Sequence, residues 1–145
     1  MLVARICRAK YPSLDGKGSA AKGGRWNSAG RAVVYASSCG ALAALEYRVH
    51  TAEDPGDLRL YTLEINDDAS VDTAQWMPDV ATAKAFGDAW IRSKRSCMLW
   101  VPSAVVPHQM NALLNPAHRE FPGCMRLVRD GPFALDVRLF DLMRG

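Results

Sequence analysis

The chain has 145 residues, of which 49% are apolar and 23% charged, and it holds 18 Lys and Arg against 15 Asp and Glu for a formal net charge of +3. That length suits one domain, spanning residues 1–145 and able to bury roughly 68–70% of its unfolded surface. The scattered basic residues argue against a nucleic-acid surface, no run reaches the roughly 18 apolar residues of a membrane span, and "MLVARICRAKYP" lacks the apolar core of a signal peptide, so the cytoplasm is the expected compartment.

In chain order, "LVARIC" reads as a first strand, and "YPSLDGKGSAAKGG" as a long loop punctuated by Gly, Ser and Pro. The β-branched and aromatic run Ala32–Ala36 predicts a strand. Ser37 or Ser38 then offers an N-cap for a helix reaching about His50. Leu42, Leu45 and Val49 share one face of that helix, which puts Glu46 on the shoulder of an apolar stripe. Asp57–Ile65 reads as a strand. Asp79–Lys94 reads as a helix capped by Asp79, with Val80, Ala83, Gly87, Trp90 and Ile91 on one side. Cys97–Ser103 reads as an apolar strand that Pro102 ends, leaving Ser103 at its mouth. "NALLNP" (Asn111–Pro116) reads as a turn-rich segment, and "MRLVRDGPFALDVRLF" as two strands about an Asp130–Gly131 turn, with Phe133, Leu135, Val137 and Leu139 alternating. Strands and helices mix without regular βαβ alternation, so the expected class is α+β with a mostly antiparallel or mixed sheet.

Cys7, Cys39, Cys97 and Cys124 are widely spaced, with no CxxC and no nearby His, and the expectation is free buried thiols in a reducing compartment. His50, His108 and His118 form no ligand spacing, so no metal is expected.

The segment "GGRWNSAGRAVVYASSCGALAALE" concentrates chemistry. Singly, its residues have ordinary structural roles: turn glycines, core aromatics at Trp26 and Tyr35, an ion pair of Arg25 with Glu46. Together they suggest a nucleotide site. An arginine beside a di-glycine presents a bidentate fork to phosphate while the backbone comes close. A strand-borne tyrosine offers a flat face to a planar ring, and a half-buried carboxylate on the next helix can stabilise positive charge or grip a ribose hydroxyl. The glycines fit neither GxGxxG after a strand nor GxxxxGK[ST].

On "GGRWNSAG", "VVYASS", "ALAALE", "VPSAVVP" and "NALLNPAH", in that order, the chain resembles the RES domain family, over almost its whole length from "ARICRAKY" to "DVRLF". The resemblance implies a toxin of a bacterial toxin–antitoxin pair whose partner is an Xre-type antitoxin, with a fold similar to the ADP-ribosyltransferase catalytic core. It implies that NAD+ is a substrate, cleaved at the nicotinamide–ribose bond with water or phosphate as acceptor. It places the signature residues on Arg25, Tyr35, Glu46 and Ser103, with Trp26 and Asn27 as further positions for holding the dinucleotide, and needs no metal. DNA contact would belong to the antitoxin, and the toxin can form a homodimer within the complex. Two other readings remain: a mono-ADP-ribosyltransferase acting on a cellular protein through the same pocket, and a non-enzymatic or RNA-directed toxin.

Overall fold

A computed structural model describes residues 1–141. Its strands are β1 (Leu2–Arg8), β2 (Val34–Ser37), β3 (Leu58–Ile65), β4 (Val71–Thr73), β5 (Met98–Pro102), β6 (Met110–Leu114) and β7 (Met125–Phe133). Its helices are α1 (Lys17–Lys22), α2 (Gly40–Val49), α3 (Val80–Ser93) and α4 (Arg138–Asp141). The strands form one seven-stranded sheet in the order β4-β5-β6-β2-β1-β3-β7, antiparallel except for the parallel β4–β5 pair. This is a single mixed-sheet α+β domain. No helix among the described residues is long and apolar enough to cross a membrane.

Side-chain alternation divides the core between the two faces of the sheet. On the helical face, α2 sets Ala43 against Ala4, Ile6 and Leu58. On that same face α3 sets Ala83, Trp90 and Ile91 against Leu99, Val101 and Leu113. The opposite face buries Val3, Val34, Ala36, Leu63, Met98, Ala112 and Leu114. Tyr35 and Ser37 stand on the helical face of β2, and their register partners on β6 are Leu113 and Asn111. The stretch of sheet between α2 and α3 therefore carries the polar residues of the candidate site.

Five expectations about elements are corrected. The stretch Tyr11–Gly24 is not all loop, since helix α1 (Lys17–Lys22) lies within it, closed at its end by Gly23 N–H on the Ser19 carbonyl. Asn111–Pro116 is not a turn-rich segment: Met110–Leu114 is an inner strand between β5 and β2, its polar ends misread because tertiary pairing satisfies them. The C-terminal pair of strands is one strand, β7, which runs through Asp130 and Gly131 because both pair with β3, at Tyr61 and Leu60. Leu135 and Leu139 pack on the helical face after it, Leu139 from α4, while Val137 is exposed. Helix α2 is capped at Cys39 without a side-chain hydrogen bond, because Ser37 belongs to β2. Its packed face is Leu42, Ala43 and Tyr47, while Leu45 and Val49 are exposed at 40% and 58%. The remaining prediction for α3 holds more closely: Asp79 caps it through Ala81 N–H, and Ala83, Gly87, Trp90 and Ile91 are buried, with Val80 exposed.

The cysteines also depart from expectation. Cys97 and Cys124 are joined as a disulfide, because the chain after β6 folds back over the start of β5, where Asn115 N–H meets the Cys97 carbonyl. Cys7 is a buried free thiol and Cys39 an exposed one.

Candidate active site on the helical face

Gly24 and Asn27 close a tight turn that is joined to β2 through Tyr35. The Tyr35 hydroxyl donates to Asn27 Oδ1 at 2.6 Å and accepts from Trp26 N–H at 3.1 Å. A Cβ on Gly24 would lie 2.7 Å from that hydroxyl, so the first residue before the arginine must be glycine for the phenol to seat. Desolvation pushes the Tyr35 phenol well above its ordinary value, so it works as a neutral donor. Asn27 is fully buried, and its amide also donates to the carbonyls of Ser19, Ser28 and Arg31. Trp26 is buried as well, edge-on to Phe86 of α3. The structure thus spends Trp26 and Asn27 inside the fold, where they shape the turn that carries Arg25.

Arg25 reaches the segment between β4 and α3. Its Nη2 donates to the Met77 carbonyl at 2.6 Å, and its guanidinium carbon lies 5.0 Å from the centre of the Trp76 ring. Nε is buried with no hydrogen-bond partner, and no carboxylate of the described residues pairs with this side chain. The ion pair of Arg25 with Glu46 does not form. Among the described residues this guanidinium therefore meets a carbonyl and a half-exposed indole and no carboxylate.

Glu46 and Ser103 do meet. Ser103 Oγ donates to Glu46 Oε1 at 2.7 Å and accepts from Val105 and Val106 N–H at 3.0 Å each. Its proton is committed to the carboxylate and its lone pairs to the backbone, an arrangement that orients Glu46 and leaves the serine oxygen no lone pair free for attack. Two participants were invisible in the sequence. Asn111 Nδ2 donates to the same Oε1 at 2.7 Å, and Ser37 Oγ donates to Asn111 Oδ1 at 2.7 Å. The strand register Ser37↔Asn111 could have been read only once residues 110–114 were known to be a strand. The site therefore has two parts, Arg25 with Tyr35 and Glu46 with Ser103, joined by alternate residues of β2.

Two surface hollows of about 460 and 410 Å³ lie elsewhere, one lined by residues such as Arg59 and Phe133, the other by Trp100, His108 and Met110. Neither takes in Arg25, Tyr35, Glu46 or Ser103. The spacing of Cys and His also missed a cluster of Cys97, His118 and Glu120, whose ligand atoms lie within 4.8 Å of one another. Its groups are already engaged: His118 Nδ1 accepts from Glu120 N–H, both Glu120 oxygens accept from Ser70, and Cys97 is bonded to Cys124.

The RES domain family model matches residues 2–136. The chain is 35% identical to "Toxin Res" of Yersinia enterocolitica over 151 residues, covering 96% of this chain and 99% of the relative. It is 40% identical over 123 residues to the "Prs ADP-ribosylating toxin" of a Sphingobium species, 76% of each chain being covered. In three dimensions it is similar to a chain of the M. tuberculosis MbcT-MbcA toxin-antitoxin complex, with a TM-score of 0.75 and 20% identity over 99% of this chain and 88% of the other, which shows a shared fold.

Proposed function

The chain belongs to the RES domain family, and from that premise we propose that it is the toxin of a toxin–antitoxin pair that destroys NAD+ by cleaving the nicotinamide–ribose bond. The observation that carries the reading is the carboxylate of Glu46, oriented by Ser103 on the same sheet face as Tyr35 and an arginine that no carboxylate of the described residues pairs with. In this reaction nicotinamide departs as a neutral molecule and needs no general acid. The glycosidic C–N bond breaks with its electron pair going to nicotinamide, and the ribose carbon takes on oxocarbenium character, the demand that carboxylates meet in glycosidases. Water or phosphate then forms the new C–O bond, and with water one proton is released to solvent.

The chain's own residues divide the work. Glu46 stabilises the developing positive charge and holds a ribose hydroxyl. Arg25 takes phosphate or ribose oxygens through its terminal nitrogens, since Nε is buried. The Tyr35 ring walls the nicotinamide, and Ser103 keeps Glu46 in place. Purified protein incubated with NAD+ tests the reading: nicotinamide is released without any added protein, and Glu46→Gln lowers the rate on the order of 10²–10³-fold while the circular dichroism spectrum is unchanged. Intact NAD+ after prolonged incubation with the parent would overturn it.

The 40% identity to a relative named as an ADP-ribosylating toxin favours a second reading, transfer of ADP-ribose to a protein side chain. Labelled NAD+ separates the two, since a transferase leaves a labelled band in cell lysate and a hydrolase leaves only free product. An antitoxin of Xre type is the proposed partner, with a toxin chain paired with another within the complex.

A further inference from the structure

We propose that Asn111 is the positioning residue of Glu46, and that Ser37 sets the sense of its amide, so that Glu46 meets its substrate through Oε2. The inference rests on the reading of Glu46 as the carboxylate that faces the ribose. Asn111 stands on inner strand β6, where the ladder already satisfies its backbone, next to the fully buried Leu113. A primary amide on such a face is costly unless both of its ends are bonded. Here both are, and the direction of the chain is forced: an ionised carboxylate can only accept, so Nδ2 must turn to Glu46 and Oδ1 to Ser37.

The Ser37 hydroxyl, 4% exposed, then has to donate to Oδ1. Ser103 donates to the same carboxylate oxygen that Asn111 does, so Oε1 carries two short charge-assisted bonds. Oε2 has no protein hydrogen bond among the described residues and is not among the sealed, partnerless atoms, so it stays open to a ligand. Donors come from β5's end and from β6, while the acceptor comes from α2, so three separate elements fix one carboxylate plane. Asn111 acts through Glu46 and touches no substrate.

One arm of the test needs no catalysis. In the ¹⁵N spectrum of the parent, the Asn111 side-chain amide protons should move on Glu46→Gln and again on Ser37→Ala; resonances unmoved by both changes overturn the hydrogen-bond chain. The other arm reads NAD+ turnover. Asn111→Ala and the near-isosteric Asn111→Asp, which keeps the shape and loses the donor, should each lower kcat by about ten- to a hundredfold with KM nearly unchanged. Adding Asn111→Ala to Glu46→Gln should cost nothing further. Full kcat in Asn111→Asp, a change in KM alone, or losses that simply add would overturn the proposal. Should Asn111→Ala fail to fold, Asn111→Asp and Ser37→Ala carry the same comparison. If the parent turns over no NAD+, the proposed function fails and the amide resonances alone decide this inference.

Discussion

The Tyr35 hydroxyl holds two groups that would otherwise be unpaired, Asn27 Oδ1 and Trp26 N–H. Removing it with Tyr35→Phe keeps the ring but leaves both partners without a bond, which should cost about 1–3 kcal/mol of stability and loosen the turn that carries Arg25. A pH dependence follows from the same burial. The folded phenol holds its proton well above the ordinary value of 10.0, whereas the unfolded chain releases it near that value. The stabilisation is therefore fully present below about pH 10 and falls as pH rises beyond it, because the folded state then binds more protons. Chemical denaturation between pH 9 and 11 should show this decline in the parent and a shallower one in Tyr35→Phe; equal slopes would mean that other groups account for it. Arg5, by contrast, gave no functional signal in the sequence. Its side chain spans from the Ser13 carbonyl to the Tyr35 carbonyl, and desolvation lowers it from its ordinary value. It secures β2 at a place where β1 and β2 share one register pair, Ala4↔Ser37.

Helix α3 is the brace of the arginine turn. Asp88 accepts from the backbone and hydroxyl of Ser28 and lies 4.0 Å from Arg31. Immediately before it in the chain, Gly87 lets the helix close on the backbone of Trp26: a Cβ there would sit 1.7 Å from the Trp26 carbonyl oxygen. Backbone cannot yield as a side-chain tip can, so Gly87→Ala must push α3 off the turn. The expected cost is at or above the upper end of the ~1–3 kcal/mol usual for overpacking, with a drop in NAD+ turnover larger than the stability loss alone would give at a temperature where the variant stays folded. A variant as stable and active as the parent would show that α3 and the turn move independently. The sequence placed Gly87 on the buried side of α3 but held no sign that its partner is Trp26, because that contact joins residues 61 positions apart.

At the scale of the molecule, the sheet runs from β4 to β7 without a break, and its centre is built from β6, β2 and β1, drawn from the two ends of the chain. Neither half can complete a core by itself. Denaturant unfolding should therefore be one transition, with near- and far-ultraviolet circular dichroism and tryptophan fluorescence coincident; separate midpoints would divide the chain into two units. The same topology assembles the site, since β2 and α2 supply Tyr35, Ser37 and Glu46 while the end of β5 and β6, more than 50 residues later, supply Ser103 and Asn111.

The sequence by itself determined what is local or patterned. Strands β1, β3 and β5 and helix α3 follow from short-range periodicity and caps, and the motif residues Arg25, Tyr35, Glu46 and Ser103 lie in segments whose order identifies the family. Periodicity failed where long-range pairing overrides local preference. "NALLNP" carries turn residues at both ends, yet four of its residues are strand because β2 and β5 flank them. The Asp130–Gly131 turn straightens against β3, and the apolar stripe of α2 gives way to a face chosen by β1 and β3. Only the tertiary structure decided which oxygen of Glu46 is bonded, that Asn111 and Ser37 stand behind it, and that no carboxylate among the described residues pairs with Arg25. Each of these is a contact between residues distant in the chain, and the register of a sheet, not the spacing of a sequence, sets where such residues meet.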